Sequence, residues 1–403
     1  MKNMHTRIIQ MFILSILVLF FYILTSHNNF ENIKLFNNNI LIKLGEDSKT
    51  LRKPNSESSK LLSLDSELKH INTIPFKSTL NGDTITTSKN DDHNVYINDF
   101  QNIIKTNPNS PTLEYGSTID KYILDLIYNS NITITNTYAN KDYYHSISHV
   151  KLETTINYKV DASIISIINN NKRYDILVYE NVTGISFDEL NNQYFIFFTN
   201  TKSSNTLINQ NEIVCSKLIW DKNKYILDTT NVIQDIKLTS ESIAYVDPII
   251  TNNTKISYTQ ESNTSNQKNI NYYIANFNHD TQKIEKPKLV NNFIIDYEKT
   301  LTVVKSFTIK DNLYTFYSDA TYNVTNLNTL SSKDYIVSNT GVLDYIKYST
   351  NNKELYILYK SNKKIHMAKL HNGQISDIKT TTKRDLGLDF FDGDVIYDFE
   401  IIE

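Results

Sequence analysis

The sequence predicts an all-β protein whose strands follow a single apolar segment at the amino terminus. From about Asn131 onward, apolar and polar residues alternate with the period of two that half-buried strands show. Asn-rich segments separate these strands, and an apolar run, Ile8–Thr25, precedes them. Because no helical periods alternate with the strands, the pattern argues against a parallel α/β sheet.

The run Ile8–Thr25 has the length of a transmembrane helix. As a helix it would rise about 27 Å, close to the roughly 30 Å hydrocarbon core of a bilayer. A cleaved signal peptide and a buried helix of the fold are the alternatives. The run is longer than a typical signal core, and Leu24 is large for the position two residues before Ser26, where a signal would be cleaved. A retained anchor is therefore favoured.

The charges around this run predict its orientation. Lys2 and Arg7 precede it, whereas only Lys34 follows it closely. The positive-inside rule then places residues 1–7 in the cytoplasm and the rest of the chain, after the membrane segment 8–25, outside. We expect a single-pass signal-anchor protein with an extracytoplasmic body, and secretion after cleavage is the alternative.

Residues 26–94 are expected to form a polar spacer that carries a short helix. Leu61, Leu64, Leu68 and Ile71 recur at helical spacing behind a serine-rich start. Fewer than three heptads are present, so a packing or stalk helix is favoured over a coiled-coil seam.

A β-rich extracytoplasmic domain is expected over residues 95–403, with one helix near its start. Ile119 and Ile123 share the apolar face of this helix, which is predicted over Thr118–Tyr128. Later connections such as Asn169–Lys172 are typical of hairpin turns, because Asn tolerates positive φ and forms local side-chain hydrogen bonds.

An apolar strand phrase rich in Tyr and Phe recurs through this domain. Its copies are Tyr174–Glu180, Tyr194–Thr199, Thr254–Thr259, Leu313–Ser318 and Leu355–Lys360. The later copies lie about 40 to 60 residues apart, the scale of a four-stranded propeller blade, and their continuous apolar character fits strands covered on both faces. Over about residues 131–402 the chain resembles β-propellers in general, which implies a propeller-like head. A β-sandwich and two separate domains are the alternatives.

A shorter phrase, Ala244–Ile250, resembles the Asp-Pro segment that opens a blade in five-bladed glycosidases of the arabinanase type. The resemblance implies that Asp247 would be the general base. Glycoside hydrolysis also requires a second carboxyl group to protonate the leaving oxygen, and neither Glu261 nor Glu285 matches that family's acid motif. An Asp-Pro turn that enters a strand is the simpler interpretation of Asp247.

Two clusters contain residue types that bind metal ions. His145 and His149 are four residues apart, which places both on one side of a strand or a helix, but a zinc site requires further ligands. Asp389, Asp392 and Asp394 surround a turn glycine, although their spacing departs from the Asp-x-Asp-x-Asp-Gly calcium loop. Ordinary histidines and a solvated acidic turn are favoured. No phosphate loop or other cofactor motif occurs, so no cofactor is expected.

The charge argues against a nucleic-acid-binding protein, and the cysteine content argues against a domain stabilised by disulfides. The 403-residue chain has a formal net charge of −3 and lacks the basic stripe that a phosphate backbone requires, so nucleic-acid binding is not expected. Cys215 is the single cysteine, which rules out an intramolecular disulfide. It lies in the strand-like segment Ile213–Trp220, and we expect a small buried residue rather than a reactive thiol or an intermolecular bridge.

These features predict a membrane-anchored protein that displays a β-rich head to a protein or glycan ligand. The 27 tyrosines supply amphipathic contact area for such a role. A glycan hydrolase that uses Asp247 is the alternative. The membrane, through Ile8–Thr25, is a further expected partner, and the sequence specifies no oligomeric state.

Protease protection tests the predicted topology. In intact cells we expect added protease to digest the body of the protein without permeabilisation, because the residues after the apolar run would lie outside. The measurement is an immunoblot of the remaining fragments after fractionation. Protection of the body until the cytoplasmic face is exposed would contradict this orientation.

Overall fold

The computed structural model describes a body made almost wholly of strands. The described residues are 40–46, 59–76, 84–87, 94–98, 100–107, 110–127, 132–139, 143–153, 159–188, 191–199, 212–228, 233–237, 243–246, 253–263, 267–296, 303–309, 311–337, 343–350, 355–361, 364–371, 373–382, 384–386 and 394–401. The predicted membrane segment Ile8–Thr25 lies outside them. Within them, no helix has both the length and the apolar character that crossing a bilayer requires.

Thirty strands and one helix are described. The strands of the first half of the chain are β1 (Ile40–Glu46), β2 (Ser59–Leu64), β3 (His70–Phe76), β4 (Thr84–Thr87), β5 (Val95–Asn98), β6 (Asn102–Asn107), β7 (Ser110–Thr118), β8 (Thr133–Ala139), β9 (Tyr143–Glu153), β10 (Lys159–Asn169), β11 (Lys172–Val178), β12 (Asn181–Asp188), β13 (Gln193–Thr199), β14 (Glu212–Asp221) and β15 (Lys224–Leu227). The strands of the second half are β16 (Ile233–Lys237), β17 (Ile243–Val246), β18 (Asn253–Asn263), β19 (Gln267–Asn278), β20 (Lys283–Ile284), β21 (Lys288–Asp296), β22 (Val303–Ile309), β23 (Asn312–Tyr317), β24 (Thr321–Asn326), β25 (Ser332–Ile336), β26 (Leu343–Thr350), β27 (Leu355–Ser361), β28 (Lys364–His371), β29 (Gln374–Thr382) and β30 (Asp394–Ile401). The helix, α1, is Lys121–Leu126.

The described strands form seven antiparallel sheets that follow one another along the chain. Blade 1 is β4–β7, blade 2 is β8–β11, blade 3 is β12–β16, blade 4 is β17–β21, blade 5 is β22–β25, and blade 6 is β26–β29. Blade 7 combines β30 with β1, β2 and β3, in the order β3-β2-β1-β30. Five of these sheets have four strands, and blades 3 and 4 have a fifth. Sequential antiparallel sheets of this kind are the units of a β-propeller, and the propeller resemblance is confirmed.

Contacts between neighbouring blades join the seven sheets into a ring. First strands touch between blades 1 and 2, 2 and 3, 3 and 4, 5 and 6, 6 and 7, and finally between β30 of blade 7 and β4 of blade 1. A cluster of buried side chains, including Ile274 of blade 4 and Leu313 of blade 5, joins the remaining neighbours. The described residues therefore form a closed seven-bladed propeller.

The ring closes where β30 pairs with β1. Ile40 faces Ile401, and Ile42 faces Phe399, before a bulge shifts the register beyond Lys43. Ile42 and Phe399 are fully buried and pack against blade 6. The strand nearest the carboxyl terminus thus completes a sheet that the earliest described strands begin.

Strand β13 shows why the blades contain continuous apolar runs. Tyr194, Ile196 and Phe198 point into a cluster shared with blade 2, whereas Phe195 and Phe197 point into a cluster shared with blade 4. Because successive side chains alternate between faces, a strand covered on both sides must be apolar at every position. The expectation that the recurring phrases are covered on both faces is confirmed at this strand.

The recurring phrase marks a fixed position in the blades. Four of its five copies fall on β13, β18, β23 and β27, which are the second strands of blades 3 to 6. The copy at Tyr174–Glu180 instead falls on β11, the last strand of blade 2, which explains its short spacing to the next copy.

The hairpin turns follow the predicted chemistry. Asn170 and Asn171 have φ of 49° and 56°, and Lys222 and Asn223 have φ of 45° and 68°. Two successive residues with positive φ are typical of type I′ turns, whose twist matches that of paired strands.

The helix expected from Leu61 to Ile71 is wrong. The segment forms β2 and β3, which pair with each other around a turn in which Leu68 has a φ of 61°. Leu61 and Leu62 are both fully buried although they are adjacent, which requires cover on both faces of a strand rather than one helical face. The residues between 26 and 94 that were expected to form a spacer therefore include three strands of blade 7 and the first of blade 1.

The helix expected over Thr118–Tyr128 exists in a shorter form as α1. Thr118 ends β7, and the helix begins after Asp120, whose Oδ1 accepts a 2.8 Å hydrogen bond from the Tyr122 backbone. This is the geometry of a helix N-cap. Ile119 and Ile123 are buried in the cluster between blades 1 and 2, as the apolar face predicts.

A buried arginine joins blade 2 to blade 1. The Arg173 guanidinium donates to the backbone oxygens of Gln101 at 2.9 Å and Phe100 at 3.0 Å, both in blade 1. It also pairs with Asp175 at 2.9 Å, and both side chains are only 4% exposed. Ser166 Oγ donates to the same carboxylate at 2.6 Å. The two charges therefore compensate each other within blade 2, while the arginine also donates hydrogen bonds across the interface to blade 1.

Removing this arginine should destabilise the propeller strongly. We expect Arg173→Met to lower the free energy of unfolding by about 3 to 5 kcal/mol, because Asp175 would remain buried without its cation. Lys151→Met, which breaks the exposed pair between Lys151 and Asp161, is the control and should cost about 0 to 1 kcal/mol. Urea denaturation measures both. Equal effects of the two substitutions would contradict the proposed importance of the buried pair.

Candidate functional site

The two histidines considered as metal ligands lie in β9, but too far apart to share an ion. At a strand rise of about 3.3 Å per residue, His145 and His149 are separated by about 13 Å along the strand. His145 is fully buried beside Tyr138, with ring centroids 5.5 Å apart, and burial lowers the pKa of His149. Within the described residues, no group of three His, Cys, Asp or Glu side chains could hold a metal ion.

Only three of the predicted acidic site residues, Glu261, Glu285 and Asp394, lie within the described residues, and they belong to different parts of the fold. Asp247, Asp389 and Asp392 lie outside the described residues. Asp394 opens β30 and Glu261 lies within β18, while Glu285 is exposed and accepts a 2.9 Å hydrogen bond from Asn276. The described residues therefore provide no neighbouring pair of these carboxylates for the hydrolysis that the alternative interpretation requires.

Cys215 occupies the buried position that its strand predicts. It lies in β14 opposite Phe197 and is fully buried in the cluster between blades 3 and 4. Burial raises the pKa of its thiol, and nearby Lys217 opposes this only in part. A thiol held neutral in an apolar cluster is a packing residue rather than a nucleophile.

A buried serine and histidine form a hydrogen bond between blades 3 and 4. Ser186 Oγ and His279 Nε2 are 2.8 Å apart, and the two residues are 1% and 4% exposed. The His279 ring stacks on Phe195 with centroids 5.2 Å apart. Serine and histidine at this distance can form a nucleophile and base, but a substrate cannot reach a buried hydroxyl. The pair therefore joins blades.

Several exposed apolar side chains lie together at the end of the β14–β15 hairpin. We call residues Ile219–Ile226 the blade 3 tip. Trp220, the only tryptophan of the chain, is 49% exposed, and Ile219 and Ile226 are 46% and 38% exposed. The neighbouring pair Leu218 and Leu227 still packs in the core between blades 2 and 3. Beyond Leu218 and Leu227 the hairpin leaves the apolar core, but its side chains there are still largely apolar.

One face of the blade 3 tip presents three aromatic rings. Trp220 faces Tyr225 across the hairpin, and both contact Tyr174 on β11 of blade 2. The ring centroids are 4.8 Å apart for Trp220 and Tyr225, and 5.2 and 5.3 Å for their contacts with Tyr174. The rings meet edge to face, a favourable geometry that holds Trp220 in place.

The other face presents an aliphatic pair. Ile219 and Ile226 are directly opposite in the register of β14 and β15, so their side chains lie side by side. Both point away from the aromatic face, because side chains alternate along a strand. The tip therefore exposes apolar groups on both faces of one hairpin.

A depression lies between blades 5 and 6. Its volume is about 530 Å³, and its lining includes Asn312, Asn326, Ser332, Lys333, Tyr335 and Gly373. Tyr322 fixes one wall by donating a 2.8 Å hydrogen bond to the backbone oxygen of Gly373. Amides and hydroxyls suit a small hydroxyl-rich ligand, whereas the blade 3 tip presents exposed aromatic and aliphatic side chains.

The sequence contained a cue to this tip. Trp220 ends the strand-like segment used to place Cys215, and the turn Lys222–Asn223 follows after one further residue, Asp221. A tryptophan so close to a type I′ turn is far from the middle of its strand, where burial is greatest. The contact with Tyr174, from another blade, had no counterpart in local sequence.

Comparisons with known proteins give only distant structural similarity. No protein-family model matches the sequence, and no curated protein is detectably similar to it. Apo AztD from Citrobacter koseri has a TM-score of 0.38 at 6% identity, covering 90% of this chain and 98% of that one. The Dos1 propeller has a TM-score of 0.38 at 11% identity, covering 78% and 73%. Chaetomium thermophilum Raptor has 0.38 at 10% identity, and the match covers 73% of this chain and 24% of the Raptor chain.

Similarity at this level supports no inference about function. The propeller fold is established by the strand order, the ring contacts and the closing strand of this chain.

The buried histidine should make stability depend on pH. Burial lowers the pKa of His279, and the carboxylates of Asp188 and Asp280 oppose this in part. The unfolded chain then binds the proton more tightly, so this contribution to stability is complete above about pH 6.5 and declines as the pH falls below it. We expect His279→Gln to flatten the loss of unfolding free energy between about pH 7 and pH 5.

Urea denaturation across this pH range measures the effect. His371→Gln, at an exposed histidine on β28, is the matched control and should leave the slope unchanged. A wild-type slope in the His279→Gln variant would contradict the assignment.

Proposed function

We propose that this chain is a non-enzymatic interaction protein that binds a protein partner through the blade 3 tip. The single observation that supports this proposal is the exposure of Trp220, Ile219 and Ile226 on a short hairpin held by well-formed turn and ring contacts. Large apolar side chains grouped on a surface cost solvation free energy unless a partner covers them.

The composition of the tip fits the centre of a protein interface. Tryptophan and tyrosine are enriched among the residues that contribute most to binding, because they bury large areas with little loss of rotamer freedom. Tyr174 and Tyr225 already restrain Trp220, so less conformational entropy would be lost when a partner binds.

The ring geometry favours a protein over a glycan at this place. A sugar stacks on a flat aromatic face, but each ring of the trio meets its neighbours edge to face, at interplanar angles between 69° and 88°. The faces inside the trio are therefore occupied. An apolar side chain of a partner can pack against exposed ring edges and against Ile219 and Ile226 without such a platform.

We also propose that the propeller is displayed outside the membrane by the segment Ile8–Thr25. The length of that apolar run and the preceding Lys2 and Arg7 support this proposal, and protease protection tests it. A tip that binds proteins would then be available to extracytoplasmic partners.

Site-specific photo-crosslinking tests the proposed contact. We expect benzoylphenylalanine in place of Trp220 to give a discrete protein adduct when the full chain is expressed in its native host, because this position would be covered by the partner. The control places the same group at Ile378, which is 49% exposed on blade 6. Gel mobility and mass spectrometry identify adducts. No adduct at position 220, or the same adducts at both positions, would contradict the proposal.

A further inference from the structure

We infer that the blade 3 tip recognises an acidic segment that carries apolar side chains. This inference rests on the proposed function and specifies the chemistry of the partner.

Lysines surround the apolar groups of the tip. Lys222 and Lys224 are exposed at the turn itself. Lys172 lies on the aromatic side, with its Nζ 5.2 Å from the centre of the Tyr174 ring, and Lys217 lies on the isoleucine side. Asp221 is the only acidic residue of the tip.

The local charge is opposite to that of the whole chain. Residues 219–226 carry Lys222, Lys224 and Asp221, a formal charge of +1, and Lys172 and Lys217 lie beside them, whereas the chain has a formal net charge of −3. Within the part of the chain that the structure describes, Lys172, Lys217, Lys222 and Lys224 form no ion pair with a carboxylate. Lys172, Lys222 and Lys224 are exposed, so their charged groups are accessible to a partner.

Opposite charge on a partner would steer and orient its approach. Charge pairs at the rim of an interface raise the association rate and set register, while the apolar centre contributes most of the affinity. A segment with carboxylates on either side of apolar anchors matches this arrangement of lysines around Trp220, Ile219 and Ile226.

The position of the charges favours a protein over an anionic membrane. Lys222 and Asn223 form the turn, so insertion of the hairpin into a bilayer would bury the charged residue Lys222 first. A peptide can instead lie along one face of the hairpin and leave the turn in water.

Fluorescence of the only tryptophan provides a direct assay. The probe is a short synthetic peptide in which glutamate alternates with leucine and phenylalanine, and its counterpart has lysine at every glutamate. With the full chain, we expect the acidic peptide to shift Trp220 emission to shorter wavelength and to bind at least about tenfold more tightly than the basic peptide. Raising sodium chloride from about 0.05 M to about 0.3 M should weaken that binding.

Lysine variants assign the effect to the tip. Lys222→Gln/Lys224→Gln should weaken binding of the acidic peptide by about tenfold and reduce its salt dependence. The matched control is Lys283→Gln/Lys286→Gln, at two exposed lysines of blade 4, which should bind like wild type. Circular dichroism of each variant establishes that the fold is retained.

The outcomes separate this inference from the proposed function. If Trp220 crosslinks to a partner but the acidic peptide binds no better than the basic one, the acidic preference is wrong and the proposed function stands. If both peptides fail and no crosslink forms at position 220, the proposed function fails as well. Binding of the tip to phosphatidylserine vesicles, without preference for the acidic peptide, would also overturn the inference.

Discussion

Closure of the ring is the constraint on which the rest of the structure depends. Each blade is a sheet with apolar side chains on both faces, so a blade at the end of an open array would expose one face to water. The pairing of β30 with β1 removes both ends at once, because it forms blade 7 between blades 6 and 1. Phe399 of β30 is fully buried at that pairing and packs in an apolar cluster of the core. Every other inter-blade contact is made within this closed frame.

Within the closed ring, apolar clusters stabilise the contacts between blades, and buried polar groups fix the position of one blade against the next. The pair of Arg173 and Asp175 fixes blade 2 against backbone oxygens of blade 1, and the bond between Ser186 and His279 fixes blade 3 against blade 4. Such bonds have strict geometry, whereas apolar packing tolerates sliding. The blade 3 tip lies beyond both systems, which is why Trp220 can remain half exposed beside a tightly packed interface.

The features that the sequence predicts correctly are those that depend on residues close together in the chain. Alternation, Asn-rich turns and the phrase on β13 gave the strands and their burial, because each depends on neighbouring residues. The pairing of β30 with β1 depends on residues at opposite ends of the chain, so strands β1 to β4 were mistaken for a spacer and Leu61–Ile71 for a helix. The tip was missed for the same reason, since its aromatic face is completed by Tyr174 from another blade.

The closing strand also sets the order in which this protein can become stable. Strands β1, β2 and β3 are synthesised before the other described strands, but their sheet lacks β30 until residues 394–401 have been made. Contacts between such distant segments form late and slowly, because the entropy of closing the intervening chain must be overcome first. Until β30 has been made, the chain therefore exposes sheet edges and apolar faces, which favour aggregation.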